Sequence, residues 1–352
     1  MIKNTYIHIP FCSSKCNYCV FNSVVNSKLI PAFLKALKTQ IATQYMGEKL
    51  NTLYLGGGTP SLLSKKDLIN ILSMFNFEND AEITVECNPE SYKLYDFVNR
   101  ISLGCQTFDD RILQLIGRKH TAQHVKEAVK FYQNNGIENI SLDFIYGLPT
   151  QNNASFLNDL KCAINLGIKH ISLYGLKIEK GSYFYKFMPK NLPSLDEQAD
   201  MYLLANDILT KNGFNHYEIS NWALPGFSSR HNLNYWDNNT YYGFGCGASG
   251  YDGNLRYTNT NILAKYIKNP LLRDYEEKID KTDKLIEEII LGFRKSDGIN
   301  TKVIYEKFNI DFDNVYEDIL TKYRNYFVKT EHGWALSLDG MLISNEILSE
   351  FV

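Results

Sequence analysis

Three cysteines stand close together near the start of the chain, in Cys12-Ser-Ser-Lys-Cys16-Asn-Tyr-Cys19. Thiols spaced first by three and then by two residues can face one inorganic centre from a single tight loop. An iron–sulfur cluster is normally held by four thiolates, so three leave one iron for a distant residue or an exogenous ligand. The competing readings are a zinc site, which usually asks for pairs of Cys-x2-Cys or added histidines, and unrelated buried thiols. His8 lies nearby, but it alternates with Tyr6 along an extended run and reads as interior packing rather than as a ligand. Further on, Leu55-Gly56-Gly57-Gly58-Thr59-Pro60 would let a ligand approach the backbone with no Cβ in the way, although many glycine runs are only tight turns. Glu86, in Val-Glu-Cys-Asn-Pro, could accept hydrogen bonds from ribose or ammonium groups; the plainer alternative is a solvated loop acid. The chain has seven cysteines and no export signal. That odd number argues for reduced thiols rather than a disulfide framework. Cys87, Cys105 and Cys162 fall in or beside apolar runs and read as small core residues.

The elements that must position these groups alternate regularly. TYIHI, NTLYLGG, AEITVEC, RISLGCQ, ENISLDFIYG and KHISLYGLK read as six strands, separated by helical stretches such as 28–46 and 121–134, where Val125, Ala128, Val129 and Tyr132 share one face. Strands in series with helices imply parallel βαβ units, arranged as a barrel or a doubly wound sheet. Polar residues and glycines follow one strand after another, and barrels collect their sites at the carboxyl ends of strands. The expectation is an α/β fold: a partial (β/α)6 barrel over residues 1–220, a connector or lid rich in aromatic residues, asparagine and glycine over 221–280, and a small, mostly helical, winged-helix-like C-terminal domain over 281–352.

With 37 basic and 39 acidic residues, a formal net charge of -2 and no long charge block, the chain shows no footprint for nucleic acid or an anionic membrane. No apolar stretch is long enough to span a bilayer, and MIKNTYIHIP lacks the features of a signal peptide. A cytoplasmic protein working on small molecules is expected, with membrane association only through an acceptor protein, if at all.

Cys-x3-Cys-x2-Cys after the first strand, with an aromatic before the last cysteine, resembles the signature of the radical S-adenosylmethionine (SAM) superfamily. That resemblance implies a [4Fe-4S] cluster on Cys12, Cys16 and Cys19, with the amino and carboxylate groups of SAM on the open iron. Reduction of the sulfonium would then release a 5'-deoxyadenosyl radical. It further implies that Gly57, Gly58 and Thr59 receive the SAM amino group and that Tyr6 lines the SAM site. Gln106, Arg118 and Asp143 recur in the order seen in one branch of the superfamily. There Arg118 suits the SAM carboxylate, because its fork binds carboxylates bidentately, while Glu86 and Asp143 suit the ribose hydroxyls. That branch holds oxygen-independent coproporphyrinogen III oxidase and its heme chaperone relatives, and the resemblance covers nearly the whole chain. One departure is a short segment around Ser91 to Asn99, expected as a trimmed helix on the outer ring.

Within the branch, the oxidase has a fourth cysteine where this chain has Phe21, and a longer N-terminus. Arg230-His231-Asn232-Leu233-Asn234-Tyr235-Trp236 resembles the HNxxYW signature of the chaperones, which implies heme contact. His231 would serve as an axial ligand, with Tyr235 and Trp236 beside the porphyrin; otherwise these residues pack the connector against the barrel mouth. Val20 stands where relatives have Asp, Ser249 stands where His is expected, and Cys246 is a further candidate thiolate. The resulting expectation is a heme chaperone that binds heme and delivers it to an apo-acceptor, served by an electron donor. The alternative is an oxidase that decarboxylates porphyrinogen propionates; a radical SAM methyltransferase or heme-degrading relative is a third reading.

Overall fold

A computed structural model describes residues 1–352. Its centre is a parallel run of six strands, β1 (Asn4–Ile9), β2 (Lys49–Gly57), β3 (Asn76–Cys87), β4 (Arg100–Gln106), β5 (Asn139–Tyr146) and β6 (His170–Gly175), hydrogen-bonded in sequence order. Each strand alternates with period two. Ile7, Ile9, Leu53, Leu55, Ile83, Val85, Ile101, Leu103, Ile140, Leu142, Ile171 and Leu173 belong to the main hydrophobic core. The residues between them are polar: Tyr6 and His8, Thr52 and Tyr54, Glu82 and Glu86, Arg100 and Ser102, Ser141 and Asp143, His170 and Ser172. Strands covered by helices on one face alone obey this rule, because successive side chains point to opposite sides. The apolar face meets the helices, and the polar face lines the inside of an open barrel.

The helices are α1 (Ile30–Gln44), α2 (Lys65–Leu72), α3 (Asp110–Leu115), α4 (Ala122–Asn134), α5 (Asn153–Asn165), α6 (Tyr183–Lys186) and α7 (Leu195–Lys211). Their starts are written locally. Ser64 and Asp109 cap α2 and α3, while Thr121 with His124, Asn152 with Ser155, and Ser194 with Glu197 form capping boxes on α4, α5 and α7. Such caps satisfy amides that the first turn leaves unpaired. The helices expected over 28–46 and 121–134 are present as α1 and α4. The trimmed helix expected around Ser91 to Asn99 is not: residues 88–99 form turns and coil between β3 and β4. Side chains hold this segment in place of a helical ladder. Tyr95 is buried, its hydroxyl donates to Ser61 O, and Lys93 Nζ donates to the carbonyls of Ser61 and Leu63.

The stretch 221–280 enters the same sheet. After β7 (Asn215–Glu218), β8 (Asn221–Ala223) pairs antiparallel with β6; helix α8 (Arg230–Trp236) follows, and β9 (Tyr242–Phe244) pairs parallel with β1. The barrel is therefore extended at both edges by the segment that follows it. Three further strands, Ser249–Tyr251, Leu255–Asn259 and Arg273–Lys278, form a small antiparallel sheet. Residues 281–352 hold a separate core around Phe293, Phe312, Phe327 and Phe351, with a hairpin, Phe327–Lys329 to Gly333–Leu336, followed by two short helices. No helix is long and apolar enough to cross a membrane.

Candidate functional site

The cysteine loop follows β1 and is pinned at several points. Cys12 N donates to Val24 O at 3.1 Å, Asn17 N to Ile116 O at 3.0 Å and Cys19 N to Cys16 O at 3.2 Å, while Lys15 Nζ reaches Phe21 O at 2.6 Å. Cys12, Cys16 and Cys19 line one cavity of about 410 Å³ at the carboxyl ends of the strands, together with Gly57, Gly58, Thr59, Glu86, Gln106, Arg118 and Asp143. The three sulfurs do not converge on one point as a mononuclear site requires. A polynuclear cluster takes its thiolates on separate irons, so three thiols along one wall suit it.

Two glycines of the loop after β2 are required by their surroundings. Gly57 has φ +111°, and a Cβ there would meet the His8 ring at 2.6 Å; at Gly58 it would meet Phe11 O at 2.5 Å. A positive φ and two close approaches explain glycine here better than flexibility does. His8 is the wedge behind this loop, held by Tyr6 Oη at 3.1 Å and Asn22 O at 2.8 Å. Tyr6 lies on that far side. It lines a neighbouring cavity with His8, Asn22, Tyr235 and Tyr241, which shares Phe21, Gly57 and Glu86 with the thiol cavity, and is not itself among the residues facing the thiols. Glu86 accepts from Gly57 N at 3.0 Å and from Tyr54 Oη at 3.0 Å. Burial and the nearby Asp143 carboxylate push Glu86 up to about 7, against those two bonds.

Arg118 crosses the floor of the cavity. Its guanidinium donates to Asn88 Oδ1 at 2.9 Å, Gly104 O at 3.1 Å, His120 Nδ1 at 3.2 Å and Cys16 Sγ at 3.5 Å. No carboxylate lies within ion-pair distance of it, and it lines the cavity beside the Cys16 thiol. Gln106 holds φ +60° at the end of β4, an uncommon backbone for a residue with a Cβ, and its Oε1 is buried without a partner. Asp143 accepts from Ser102 Oγ and Ser141 Oγ, and burial raises it above its ordinary value. Thr59 Oγ1 stands 3.7 Å from Cys12 Sγ and accepts from Asn88 Nδ2 at 3.2 Å. Tyr54, Asn88, Ser102 and His8 were not singled out from the sequence as site residues. The signal available for three of them was the alternation that puts Tyr54, Ser102 and His8 on the same inward phase as Glu86 and Asp143.

His231 is placed elsewhere. It lies in the first turn of α8, beside the amino-terminal end of β2, only 1% exposed, and is not among the residues lining the thiol cavity. Nδ1 bonds Thr52 Oγ1 at 2.7 Å, Nε2 bonds Tyr235 Oη at 3.0 Å, and the ring stacks on Tyr54 with centroids 5.2 Å apart. Burial pushes its imidazole down to about 3. With both nitrogens engaged, the ring has no free lone pair to offer an iron in this conformation. His231 and Asn234 thus plug the base of the barrel, while Tyr235 reaches a second cavity shared with Gly57 and Glu86. Cys246 is buried, donates to Thr260 O at 3.2 Å and is pushed up to about 11 by burial, an inert thiol rather than a ligand. Cys87 and Cys105 are buried and Cys162 is half-buried. Ser249 bonds Thr258 across a strand pair.

The rim of the cavity is apolar with charges of both signs, Glu179 pairing with Lys177 at 2.9 Å and Glu90 also lining it. Phe21 is 67% exposed and stands beside Val20 and Lys15, all lining the opening with Lys119, Tyr174 and Lys177. The segment carrying α6 is tied to the cysteine loop through Phe184 N to Asn17 O at 2.9 Å, and adds exposed Tyr183, Tyr185, Lys186, Phe187 and Met188. No acidic residue precedes Glu48, so the loop face opposes this segment with lysine alone.

A Radical SAM superfamily model matches residues 6–163, and a HemN C-terminal domain model matches residues 279–343. The chain is 40% identical to heme chaperone HemW of Lactococcus lactis over 92% of its own length and 89% of the relative's. It is 34% identical to heme chaperone HemW of Bacillus subtilis, over 100% and 99% of the two chains, and 34% identical to that of Escherichia coli, over 99% and 97%. Among solved structures, coproporphyrinogen III oxidase (HemN) from Escherichia coli, described as a radical SAM enzyme, superposes with a TM-score of 0.87 at 22% identity, covering 99% of this chain and 90% of that one.

Proposed function

The chain belongs to the radical SAM superfamily, in the family of the heme chaperone HemW, and from that premise we propose that it binds a [4Fe-4S] cluster and SAM at the barrel mouth, binds heme, and passes the heme to an acceptor protein. The observation that carries the reading is that Cys12, Cys16 and Cys19 line the same cavity as Gly57, Gly58, Glu86, Gln106, Arg118 and Asp143. The donor set fits the group. The cavity carries a guanidinium with no carboxylate partner, an unpartnered amide oxygen, a carboxylate pair for amino or hydroxyl protons, and a glycine wall with no room for side chains. Bound there, the cluster and SAM would supply one-electron chemistry at a sulfonium. The protein's part is to keep Glu86 and Arg118 oriented and the thiols on one wall. The exposed Val20, Phe21, Tyr183 and Phe187, flanked by Lys15 and Lys186, suit an amphipathic macrocycle with anionic side groups.

An oxygen-independent coproporphyrinogen oxidase is the second reading, favoured by the overall fold. Against it, Phe21 occupies the oxidase's fourth-cysteine position. Anaerobic heme titration of reconstituted protein, followed at the Soret band and then by transfer to an apo-cytochrome, tests the first reading. Saturable binding and transfer support it. Formation of protoporphyrinogen from coproporphyrinogen III with SAM and reductant, without saturable heme binding, would replace it with the second.

A further inference from the structure

The residue that the sequence marks most strongly outside the mouth, His231, does not itself line the thiol cavity, but its ring stacks on Tyr54, which does, and a short chain of contacts leads from there to the glycine loop. Its imidazole is fixed at two points, Thr52 Oγ1 at 2.7 Å and Tyr235 Oη at 3.0 Å, and its backbone N donates to Glu82 Oε1 at 3.0 Å. So held, the ring lies nearly parallel to Tyr54, at 25° with 5.2 Å between centroids. Tyr54 has a further near-parallel neighbour in Tyr6, at 27° and 6.2 Å. Its phenol donates to Glu86 Oε1 at 3.0 Å, and Glu86 Oε2 accepts from Gly57 N at 3.0 Å.

We propose that His231 is a positioning residue for the SAM site: its imidazole fixes the ring plane of Tyr54, and Tyr54 holds Glu86 against the glycine loop. The inference rests on the reading that the cavity binds SAM. The physical basis is packing. A tyrosine hydroxyl sits far from its Cα, so a small tilt of the ring moves it out of hydrogen-bond reach, and a buried ring tilts only where a void allows it. Truncating His231 creates that void, next to the one face of Tyr54 that is not backed by strand β1. Glu86 would then lose a bond that favours its charged form. The titratable groups facing Glu86 are Asp143 from β5, Tyr174 from β6, Tyr6 from β1 and Tyr54 itself, with Cys87 beside it on β3. Arg118 lines the same cavity. None of the groups in direct contact is cationic, so the Tyr54 bond has no substitute.

The test is SAM affinity of the anaerobically reconstituted protein, by equilibrium dialysis across a pH series, for wild type, His231→Ala, His231→Phe and Tyr54→Phe. His231→Ala should weaken SAM binding by about 5- to 10-fold, within the usual range for coupling between sites, and move the midpoint of its pH profile upward. His231→Phe keeps the stacked ring and should recover most of the affinity. Tyr54→Phe keeps the stack and removes only the hydroxyl; it should shift the pH midpoint as His231→Ala does, and it covers the case in which His231→Ala does not fold. Unchanged affinity and unchanged pH midpoint in Tyr54→Phe, or in a folded His231→Ala with full iron content, overturns the inference and leaves the SAM reading standing. Wild-type protein with a full cluster that binds no SAM overturns both.

Discussion

The two ends of the barrel carry similar side chains in different relations. At the amino ends of the strands, Asn4, Thr52, His231, Asn234 and Tyr235 bond one another, Glu82 takes the backbone amides of Arg230 and His231, and Arg100 donates to Asn139 and to Phe227 O. At the carboxyl ends, Arg118 has no carboxylate partner, Gln106 Oε1 has no partner at all, and both face the cavity shared with the three thiols. Buried polar groups are costly unless paired. The base is paired mostly within the protein, with Arg100 Nε and Asn234 Nδ2 the exceptions, which makes it chiefly structural; the mouth's free amide oxygen and its guanidinium without a carboxylate face the cavity that holds the thiols, which makes it a site. A histidine in a family motif therefore carries a different meaning at each end.

The largest effect that could break this contrast is loss of the cluster. In Cys12→Ala/Cys16→Ala/Cys19→Ala protein reconstituted anaerobically, iron, acid-labile sulfide and brown absorbance should all be absent. Retention of a full complement would show that the mouth thiols are not its ligands. The Cys246→Ala variant should keep the cluster intact, since that thiol is buried and engaged with Thr260 O.

A second pair of substitutions compares two arginines. Arg118→Lys keeps a positive charge at the mouth but loses the fork. It should weaken SAM binding by roughly 10- to 100-fold, the equivalent of about 1.5–3 kcal/mol for hydrogen bonds to charged groups. Arg100→Gln, at the base, should leave SAM affinity within about 2-fold while lowering stability by roughly 1–3 kcal/mol, because it leaves Asn139 Oδ1 and Phe227 O short of a donor. Equilibrium dialysis and urea unfolding read the two effects separately. Equal SAM defects in both variants would erase the distinction between the ends.

Much of this contrast was legible in the sequence. The six strands follow from β-branched runs, and most of the mouth residues from their place at strand ends, since Cys12, Gly57, Glu86 and Gln106 close or follow successive strands while Asp143 lies within β5. The resemblance supplied roles that spacing alone left open, as with Arg118. What was missed depends on long-range pairing. β9 is three residues, Tyr242–Phe244, inside a glycine-rich stretch, and only its register with Thr5 to Ile7 makes it a strand. The segment 88–99 carries no helix because Lys93 and Tyr95 find carbonyls on a neighbouring turn, contacts with no local signature. The base position of His231 was not legible either, because its motif names residue types and not which end of the barrel they occupy. His231 Nδ1 meets Thr52 across 179 positions of chain, and nothing local to either residue announces that contact.

The smallest expected effect is on the pH dependence of stability, where the two ends should pull in opposite directions. Glu86 at the mouth is raised from an ordinary value of 4.5 to about 7. The folded protein thus holds a proton there that the unfolded chain has released. Stability from this group is full below 4.5 and is lost as pH rises through 7. His231 at the base is lowered from 6.5 to about 3. Its contribution is full above 6.5 and is lost as pH falls toward 3. Glu86→Gln fixes the mouth in an uncharged form at every pH. Unfolding of SAM-free protein by urea should therefore show the variant close to wild type near pH 5 and more stable by roughly 1–2 kcal/mol near pH 8, after discounting for relaxation of the cavity. Glu218, also buried and raised to about 7, is untouched and leaves a residual slope of the same sign. His231→Phe acts on the other limb, flattening the loss of stability between about pH 6 and pH 4 while leaving the alkaline limb unchanged. If Glu86→Gln instead lost stability uniformly across pH, the carboxylate would be serving the fold through Tyr54 and Gly57, and the mouth would be as internally paired as the base.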